Sequence, residues 1–346
     1  MPVPMAIEDI VAQGQPPAEA GREIGRSREG RPLVGYEIGT GSIHVSLIGG
    51  CHADEPVGPV MLGRLVSHLL SRSDSAPVRS RLRWWIVPHV NPDGAAHNAA
   101  WSENTNPLGS GSAYDLASYL RHVVREPPGD DMEYGFPRSA NDDGVRPENQ
   151  AVASFLAGAG APFVLHGSFH GMGYAAGPWF LIERSWADRT AGMRQRLRER
   201  TAALGYQVHD IDRGGEKGFH RIDEGFTSRP DSRAMVAYFK ELGDEATAAL
   251  FRPSSMEYVR SLGGDPLTLV SEMPLFIVPA ALYQKGELIR PPELVGLRAA
   301  ATGPDGTARV EEMAAEIGIQ PMPIEDQMRL QLAFLEEALA TVLGQL

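Results

Sequence analysis

The stretch Ile48-Gly49-Gly50-Cys51-His52-Ala53-Asp54-Glu55 decides how this chain is interpreted. The mostly apolar run at residues 43–48 predicts a strand, and the glycine pair permits a sharp turn at its carboxyl end. His52 and Glu55 are therefore expected on the loop that leaves this strand. Their three-residue spacing lets an imidazole and a carboxylate converge on one metal ion, and catalytic zinc sites commonly use two histidines and one glutamate. Because isolated His-x-x-Glu pairs are usually surface residues, the rest of the sequence has to support this interpretation.

Strands alternate with helices along most of the chain. The hydrophobic pattern predicts strands at residues 82–87, 161–170, 179–183 and 267–272, and helices at residues 57–71, 147–156, 186–205, 228–242 and 324–343. This alternation predicts an α/β fold with a mixed, mostly parallel central sheet and helices on both faces. Ligands of such sheets bind beyond the carboxyl ends of the strands, where His52, His170 and Glu272 are expected.

Composition excludes several classes of protein. The 346 residues are 42% hydrophobic, which is enough for a large core, and the net charge of −12 argues against nucleic acid and anionic membranes as partners. A single cysteine, Cys51, rules out an internal disulfide and is consistent with a reducing compartment. The sequence has no apolar run of 18 residues and no signal-peptide pattern, so we expect a cytoplasmic location.

Four motifs stand in a fixed order. Residues 24–33 read Ile-Gly-Arg-Ser-Arg-Glu-Gly-Arg-Pro-Leu, the segment with His52 and Glu55 follows, Asn91-Pro92-Asp93-Gly94 comes after the next strand, and residues 267–274 contain Glu272. In this order and at these distances they resemble the motifs of the zinc carboxypeptidase family, over residues 21–279. The resemblance implies that family's phosphorylase/hydrolase-like architecture, one Zn²⁺ per chain, and hydrolysis of a peptide or amide bond.

The family also uses a third zinc ligand, a histidine at a strand end. His166 and His170 both qualify, because they have the same parity and point to the same face of a strand. His170 is followed by Gly171-Met172-Gly173, which indicates a strand end that exposes a side chain, so we favour His170 as the ligand. His166 is then either a buried, hydrogen-bonded histidine or a contact to the substrate.

The resemblance implies two further roles. Glu272 is the candidate general base, because a carboxylate next to a zinc-bound water can accept its proton and pass it to the leaving group. Asp131 corresponds to the family's aspartate that holds the far nitrogen of a zinc-ligand imidazole. Asp93 lies in a turn sequence and is expected to have a scaffolding role.

The departures from the family pattern concern the substrate. Glu133 and Tyr134 stand where the family has an Asn-Arg pair that binds the free terminal carboxylate of the peptide. A glutamate at this point would repel a carboxylate and could bind a cationic group instead. Arg252 lies near the position of the family's mobile tyrosine. The arginine that polarises the scissile carbonyl has no clear counterpart; the candidates to replace it are Arg121, Arg125 and Arg138.

Together these considerations give a set of candidate substrate-binding residues: Glu133, Tyr134, Arg138, His166 and Arg252. The glycine-rich, charged segment at residues 212–221 is either a lid or wall of the substrate site or a solvated surface loop. Residues 1–282 are expected to form the catalytic domain. Residues 283–346 are expected to form a C-terminal appendage that ends in an amphipathic helix.

Three functions are compatible with the sequence. The first is an atypical zinc peptidase that lacks the usual carboxylate clamp and acts on a peptide or small amide. The second is a zinc-dependent deacylase or amidase of a small N-acyl substrate, as in the related succinylglutamate desuccinylase and aspartoacylase group. The third is an inactive, zinc-bound binding protein, which the intact Glu272 disfavours. The sequence indicates no oligomeric state.

Overall fold

A computed structural model describes residues 4–103, 112–139, 142–284, 287–288 and 292–345. Its strands are β1 Arg22–Arg26, β2 Pro32–Ile38, β3 Ile43–Gly49, β4 Leu82–Val87, β5 Phe163–Ala175, β6 Trp179–Ile182, β7 Arg221–Asp223, β8 Phe226–Ser228, β9 Leu267–Ile277, β10 Tyr283–Gln284, β11 Glu287–Leu288 and β12 Gln320–Pro321. Its α-helices are α1 Ile7–Val11, α2 Val57–Ser71, α3 Pro77–Ser80, α4 Pro92–Ser102, α5 Leu116–His122, α6 Pro147–Ala157, α7 Ala191–Ala203, α8 Ser232–Glu241, α9 Glu245–Ala248, α10 Ser255–Ser261, α11 Pro292–Thr302, α12 Gly306–Ile317 and α13 Ile324–Leu343.

The central sheet is mixed, as the sequence predicts. Its strands lie in the order β1-β2-β4-β3-β5-β9-β6-β8-β7, and β12 pairs with β9 in addition. The four strands in the middle, β4, β3, β5 and β9, run parallel to one another, whereas β1, β2 and β6 add antiparallel pairings on either side. The prediction of an α/β fold with a mixed sheet is therefore confirmed.

Helices cover both faces of this sheet. Along β3, Leu47 belongs to one hydrophobic cluster and its neighbour Ile48 to another, because successive side chains of a strand point to opposite faces. Helices α2 and α13 pack on the first face, and α6 and α10 pack on the second. Among the described residues, no helix is both long and apolar enough to cross a membrane.

The C-terminal segment is part of the main core and not the expected appendage. Phe334 in α13 is fully buried in the same cluster as Leu47, and β12 joins the central sheet. The amide nitrogen of Gln331, also in α13, donates to the carbonyl oxygen of His170 at 3.1 Å and to Ser271 Oγ at 3.3 Å. The expected boundary at residue 282 therefore does not separate two hydrophobic cores, because α13 covers an apolar face of the central sheet.

Strands β5 and β9 extend further than the sequence suggests. His170 and Glu272 are directly paired across these parallel strands, and the pairing continues to Ala175 and Ile277. The glycines after His170 therefore do not end the strand. His170 nevertheless lies at the edge of the neighbouring strand, since β3 ends at Gly49, which pairs with Phe169.

Candidate metal centre

The loop after β3 turns immediately at Gly50. Its φ of +71° lies in the left-handed region, which glycine adopts without the strain that a side chain would cause. The chain then carries His52 and Glu55 past the carboxyl end of β3 before α2 begins at Val57. The Gly-Gly pair thus places both side chains at the sheet edge, as the sequence predicts.

Three side chains converge at this edge. The Nδ1 atom of His52 lies 2.6 Å from Glu55 Oε1, and the Nδ1 atom of His170 lies 3.0 Å from Glu55 Oε2. The two Nδ1 atoms are 3.3 Å apart. One ligand atom from each of the three residues lies within 4.8 Å of the other two, so together they could hold a metal ion.

The far nitrogens of both imidazoles have partners of their own. His170 Nε2 lies 2.7 Å from Ser168 Oγ, and His52 Nε2 lies 3.3 Å from Asp131 Oδ2 and 3.2 Å from Glu133 Oε2. Such partners favour a proton on Nε2, which leaves the Nδ1 lone pair for a metal. Glu55 Oε2 is buried, and its neighbour at 3.0 Å is the Nδ1 atom of His170, the other candidate ligand. Two imidazole nitrogens and a carboxylate oxygen are a donor set that fits zinc.

The electrostatics of the cluster favour a cation. Burial disfavours the charged form of both imidazoles, but the Glu55 carboxylate raises the pKa of His52 and that of His170 well above the ordinary value. Burial alone would raise the pKa of Glu55, and the two imidazoles hold this pKa well below its usual range. The Glu55 carboxylate therefore stabilises positive charge between the two Nδ1 atoms.

Glu272 faces the same site from β9. Its backbone is paired with that of His170, so both side chains leave the sheet on the same side. Burial and the nearby charge of Glu55 raise the pKa of Glu272 well above its usual value. A carboxylate in such a setting can accept and release a proton close to the candidate metal position.

These residues line a cleft of about 440 Å³. Its described lining includes His52, Glu55, Asp131, Glu272 and one arginine, Arg125. Arg125 Nε donates to Asp54 Oδ2 at 2.8 Å, and its Nη2 donates to the Tyr119 hydroxyl at 2.8 Å. Arg121 instead donates to the Ala301 carbonyl at 2.8 Å, away from the cleft. The structure thus brings one of the three candidate arginines into the site.

His166 lies inside the core. It is fully buried, with Nδ1 2.8 Å from Ser46 Oγ and Nε2 3.0 Å from Ser255 Oγ. Burial lowers its pKa to about 3, so the imidazole is neutral. Both of its nitrogens are occupied by hydroxyl groups, and the described lining of the cleft does not include it. The structure therefore gives His166 no contact with a substrate in the cleft.

Three other candidate residues also lie off the cleft. Tyr134, Arg138 and Arg252 line a second cavity of about 220 Å³, which shares Asp131 with the cleft. Tyr134 is buried against Phe251, with the ring centroids 5.4 Å apart. Arg138 Nη2 donates to the carbonyl of Phe251, and Arg252 pairs with Asp142 at 2.6 Å. Of the candidate substrate-binding residues, Glu133 alone lies at the metal cluster.

Some site residues were not identified from the sequence. Ser168 stands two residues before His170, so strand alternation gives it the same face and could have revealed it. Tyr283 also lines the cleft; it follows the motif at residues 267–274 by nine residues, but no sequence pattern marks it. Gln331, which donates to the His170 carbonyl, lies in the C-terminal segment that the sequence predicts to be an appendage.

Comparison with known proteins bears on this geometry. The model of the family described as zinc carboxypeptidase, Peptidase_M14, matches residues 11–180. The chain belongs to the zinc carboxypeptidase family. Zinc carboxypeptidase A 1 of Anopheles gambiae is 32% identical over 96 residues, covering 25% of this chain and 22% of that protein. Carboxypeptidase B of Astacus astacus is 27% identical over 110 residues, covering 30% and 36%.

Both matches thus span well under half of these family members. Among solved structures, bovine thrombin-activatable fibrinolysis inhibitor in complex with tick carboxypeptidase inhibitor has a TM-score of 0.49 at 12% identity, over 98% of this chain and 95% of that one. A metallo-carboxypeptidase from Burkholderia cenocepacia has a TM-score of 0.47 at 16% identity, over 99% and 68%.

Proposed function

We propose that this chain is a zinc-dependent hydrolase of a peptide or amide bond, an atypical metallocarboxypeptidase-like peptidase that lacks the usual Asn-Arg carboxylate clamp. The observation that carries the proposal is the convergence of His52 Nδ1, Glu55 and His170 Nδ1 next to the carboxylate of Glu272. Family membership supports a metallopeptidase-like hydrolase. The cluster supplies the residues that such a reaction needs.

In this proposal His52, Glu55 and His170 hold one zinc ion per chain. When bound, zinc lowers the pKa of a coordinated water and polarises the carbonyl that is to be cleaved. Glu272 accepts the proton of the attacking water and delivers it to the leaving nitrogen. Its place opposite His170 puts its carboxylate on the same side of the sheet as this ligand.

The surrounding residues orient the ligands. Ser168 fixes the ring of His170, and Asp131 and Glu133 fix the ring of His52 through its far nitrogen. Glu133 thus replaces the family's clamp asparagine with a second carboxylate on a ligand imidazole. This position explains why a glutamate is tolerated so close to the site.

Arg125 is our choice for the group that polarises the substrate carbonyl. It lines the cleft, and its ion pair with Asp54 and its bond to Tyr119 fix the direction of the guanidinium. A guanidinium keeps its charge at any working pH and offers several N–H donors in a fixed geometry. Arg125→Lys keeps the positive charge but loses the planar set of N–H donors. This variant therefore tests the donor geometry separately from the charge.

The charge of the cleft argues against a substrate with a free carboxylate. The described lining of the cleft contains five carboxylates, those of Asp54, Glu55, Glu126, Asp131 and Glu272. Arg125 is the one arginine among the described lining residues, which include no lysine. Asp54 and Glu126 are paired with Arg125 and Arg146. Asp131 and Glu133 beside His52 are therefore the groups that would repel a substrate carboxylate, which would also meet no Asn-Arg pair. Neutral or cationic groups next to the scissile bond are therefore preferred.

A zinc-dependent deacylase or amidase of a small N-acyl substrate is the second candidate. The observation that favours it is the size of the cleft, because about 440 Å³ is in the range of small-molecule sites. Both candidates use the same zinc ligands and the same base, and they differ only in how far the substrate extends beyond the cleft.

The decisive experiment compares the wild type with Glu272→Gln. The variant keeps the size of the side chain but removes the base, so zinc content and folding should stay unchanged while turnover falls by about 10²–10⁴-fold. Glu37→Gln, an exposed carboxylate paired with Arg83 on β4, is the matched control and should retain full turnover.

The substrates for this comparison are amide pairs that differ only in a free or a blocked terminal carboxylate. Faster hydrolysis of the blocked member would support the altered pocket. Full activity of Glu272→Gln would place the base elsewhere, and hydrolysis that does not require zinc would refute the proposed function.

A further inference from the structure

A second large cavity lies next to the cleft. It has a volume of about 770 Å³ and is lined by α7, the segment that follows α7, and the turn between β7 and β8. We call it the side cavity. Tyr283 lines both the side cavity and the cleft, so the two spaces are adjacent and share this side chain as a wall.

Strand β5 connects the two spaces along its carboxyl half. Gly171 and Tyr174 line the cleft, and Ala176, directly after the strand, lines the side cavity. Tyr283 is fixed over this strand, because its hydroxyl donates to the Tyr174 carbonyl at 2.8 Å. With a rise of about 3.3 Å per residue, the path from Gly171 to Ala176 is roughly 17 Å long. An extended peptide of about five residues would span it.

The side cavity has a negative lining. Its acidic residues are Glu199, Asp210, Asp212 and Glu224, and its arginine is Arg198.

Ion pairs neutralise only part of the negative charge in the side cavity. Arg198 pairs with Asp223 at 2.9 Å, and both oxygens of Asp210 pair with Arg221 at 2.9 Å. Among the described residues, no arginine or lysine forms an ion pair with Glu199, Asp212 or Glu224, although Arg221 attracts Asp212 at longer range. The side cavity therefore carries uncompensated negative charge.

We propose that the side cavity is a substrate subsite that binds basic side chains of an extended polypeptide whose scissile bond lies at Glu272. This inference rests on the proposed function of the cleft. Because Tyr283 borders both spaces, a polypeptide that extends past it from the cleft reaches the side cavity, where the carboxylates attract lysine or arginine. A concave surface of one charge sign also concentrates a cationic ligand before it binds.

The proposal explains why two neighbouring spaces both carry negative lining. A short amide fills only the cleft, whereas a basic polypeptide also occupies the side cavity. The substrate class is therefore a lysine- or arginine-containing polypeptide segment of at least about five residues, which is the extended length of the path.

Calorimetric titration tests this with zinc-loaded Glu272→Gln protein, in which turnover is slowed. The probes are terminally blocked peptides of three and eight residues with a glycine-alanine framework and either lysines or glutamates at both ends. The lysine octapeptide should bind at least about tenfold more tightly than the lysine tripeptide or the glutamate octapeptide. Asp212→Asn combined with Glu224→Gln should weaken its binding by about 3- to 20-fold, since each exposed charge contact contributes modestly.

The matched control is Asp74→Asn combined with Glu37→Gln. These are two exposed carboxylates, one in the loop after α2 and one on β2, and neither lines the side cavity or the cleft. The control should leave the binding of the lysine octapeptide unchanged. Equal affinity for the tripeptide and the octapeptide, or equal weakening by both double variants, would overturn the proposal.

Hydrolysis by the wild-type zinc protein separates the two claims. Zinc-dependent cleavage with no dependence on length or charge would overturn the side-cavity proposal and leave the proposed function standing. Selective binding of the lysine octapeptide without any cleavage would support the side cavity and contradict only the proposed function.

Discussion

Removing one hydroxyl group behind the metal cluster should weaken zinc binding without touching a ligand. Ser168 Oγ lies 2.7 Å from His170 Nε2, and both residues are almost completely buried. Ser168→Ala removes the acceptor for this imidazole N–H. Cys51, whose thiol lies 3.7 Å from the same hydroxyl and also contacts His170, is a weaker acceptor than a hydroxyl.

The size of the effect follows from the burial of the donor. A buried N–H without an acceptor costs about 1–3 kcal/mol. Loss of an outer partner of a zinc-ligand histidine typically lowers metal affinity by about 10–100-fold. We therefore expect the zinc dissociation constant of Ser168→Ala to rise by about 10–100-fold.

The chain supplies a matched control in Ser255→Ala. Ser255 Oγ lies 3.0 Å from Nε2 of His166, and this serine is buried to the same degree as Ser168. Both variants remove a serine–histidine contact from the core, so both should lower the free energy of unfolding by about 1–3 kcal/mol. Zinc competition with a chelator, together with urea unfolding of the metal-free proteins, separates affinity from stability.

The comparison has a clear refuting result. If Ser168→Ala binds zinc as tightly as the wild type, Ser168 does not orient His170 towards a metal. If Ser255→Ala is the variant with weak zinc binding, His166 is the ligand and the geometry derived from His170 is wrong.

Three further predictions follow from the same contacts. His170→Ala should lose zinc, whereas His166→Ala should retain it and lose only stability, as elemental analysis and urea unfolding will show; retained zinc in His170→Ala contradicts the ligand assignment. Phe334→Ala should lower the free energy of unfolding in urea by about 3–5 kcal/mol, because removing this fully buried ring of α13 leaves a cavity in the core. A loss under about 1 kcal/mol would mean that the C-terminal segment is an appendage. Tyr134→Phe should raise stability by about 1 kcal/mol in thermal unfolding, since the Tyr134 hydroxyl is buried without a hydrogen-bond partner among the described residues; a clear loss of stability would reveal a partner.

Local patterns predicted much of the fold. The helical spacing at residues 57–71 corresponds to α2 with the same bounds, and the pattern at residues 324–343 corresponds to α13. The pattern does not predict helices α3, α4, α5, α10, α11 and α12. Helix α4 begins inside the Asn-Pro-Asp-Gly motif, and Asn91 caps it by accepting a bond from the Gly94 amide. The motif was interpreted only as a turn, although Asn followed by Pro is also a helix start.

Strand length was less predictable. Gly171 and Gly173 predict a strand end, but β5 continues because β9 offers a parallel partner as far as Ile277. A ladder of backbone hydrogen bonds compensates for the low strand preference of glycine, and no local pattern records the partner.

The sequence by itself determined the family and the place of the candidate metal ligands along the chain. The order of its motifs identified the family, and the spacing of His52 and Glu55 after a Gly-Gly turn indicated a metal pair at a sheet edge. The turn at Gly50 and the place of both side chains after β3 could be predicted because they depend on a short segment, in which the backbone geometry is nearly fixed.

Only the tertiary structure decided which distant side chains meet. It placed His170 and not His166 beside Glu55, turned Glu133 towards His52, brought Arg125 into the cleft, and buried Tyr134. It also packed α13 against β5 at His170 and placed Tyr283 at the border between the cleft and the side cavity. Such contacts depend on strand register and on the packing of helices over the sheet, and both are set by residues far apart in the chain.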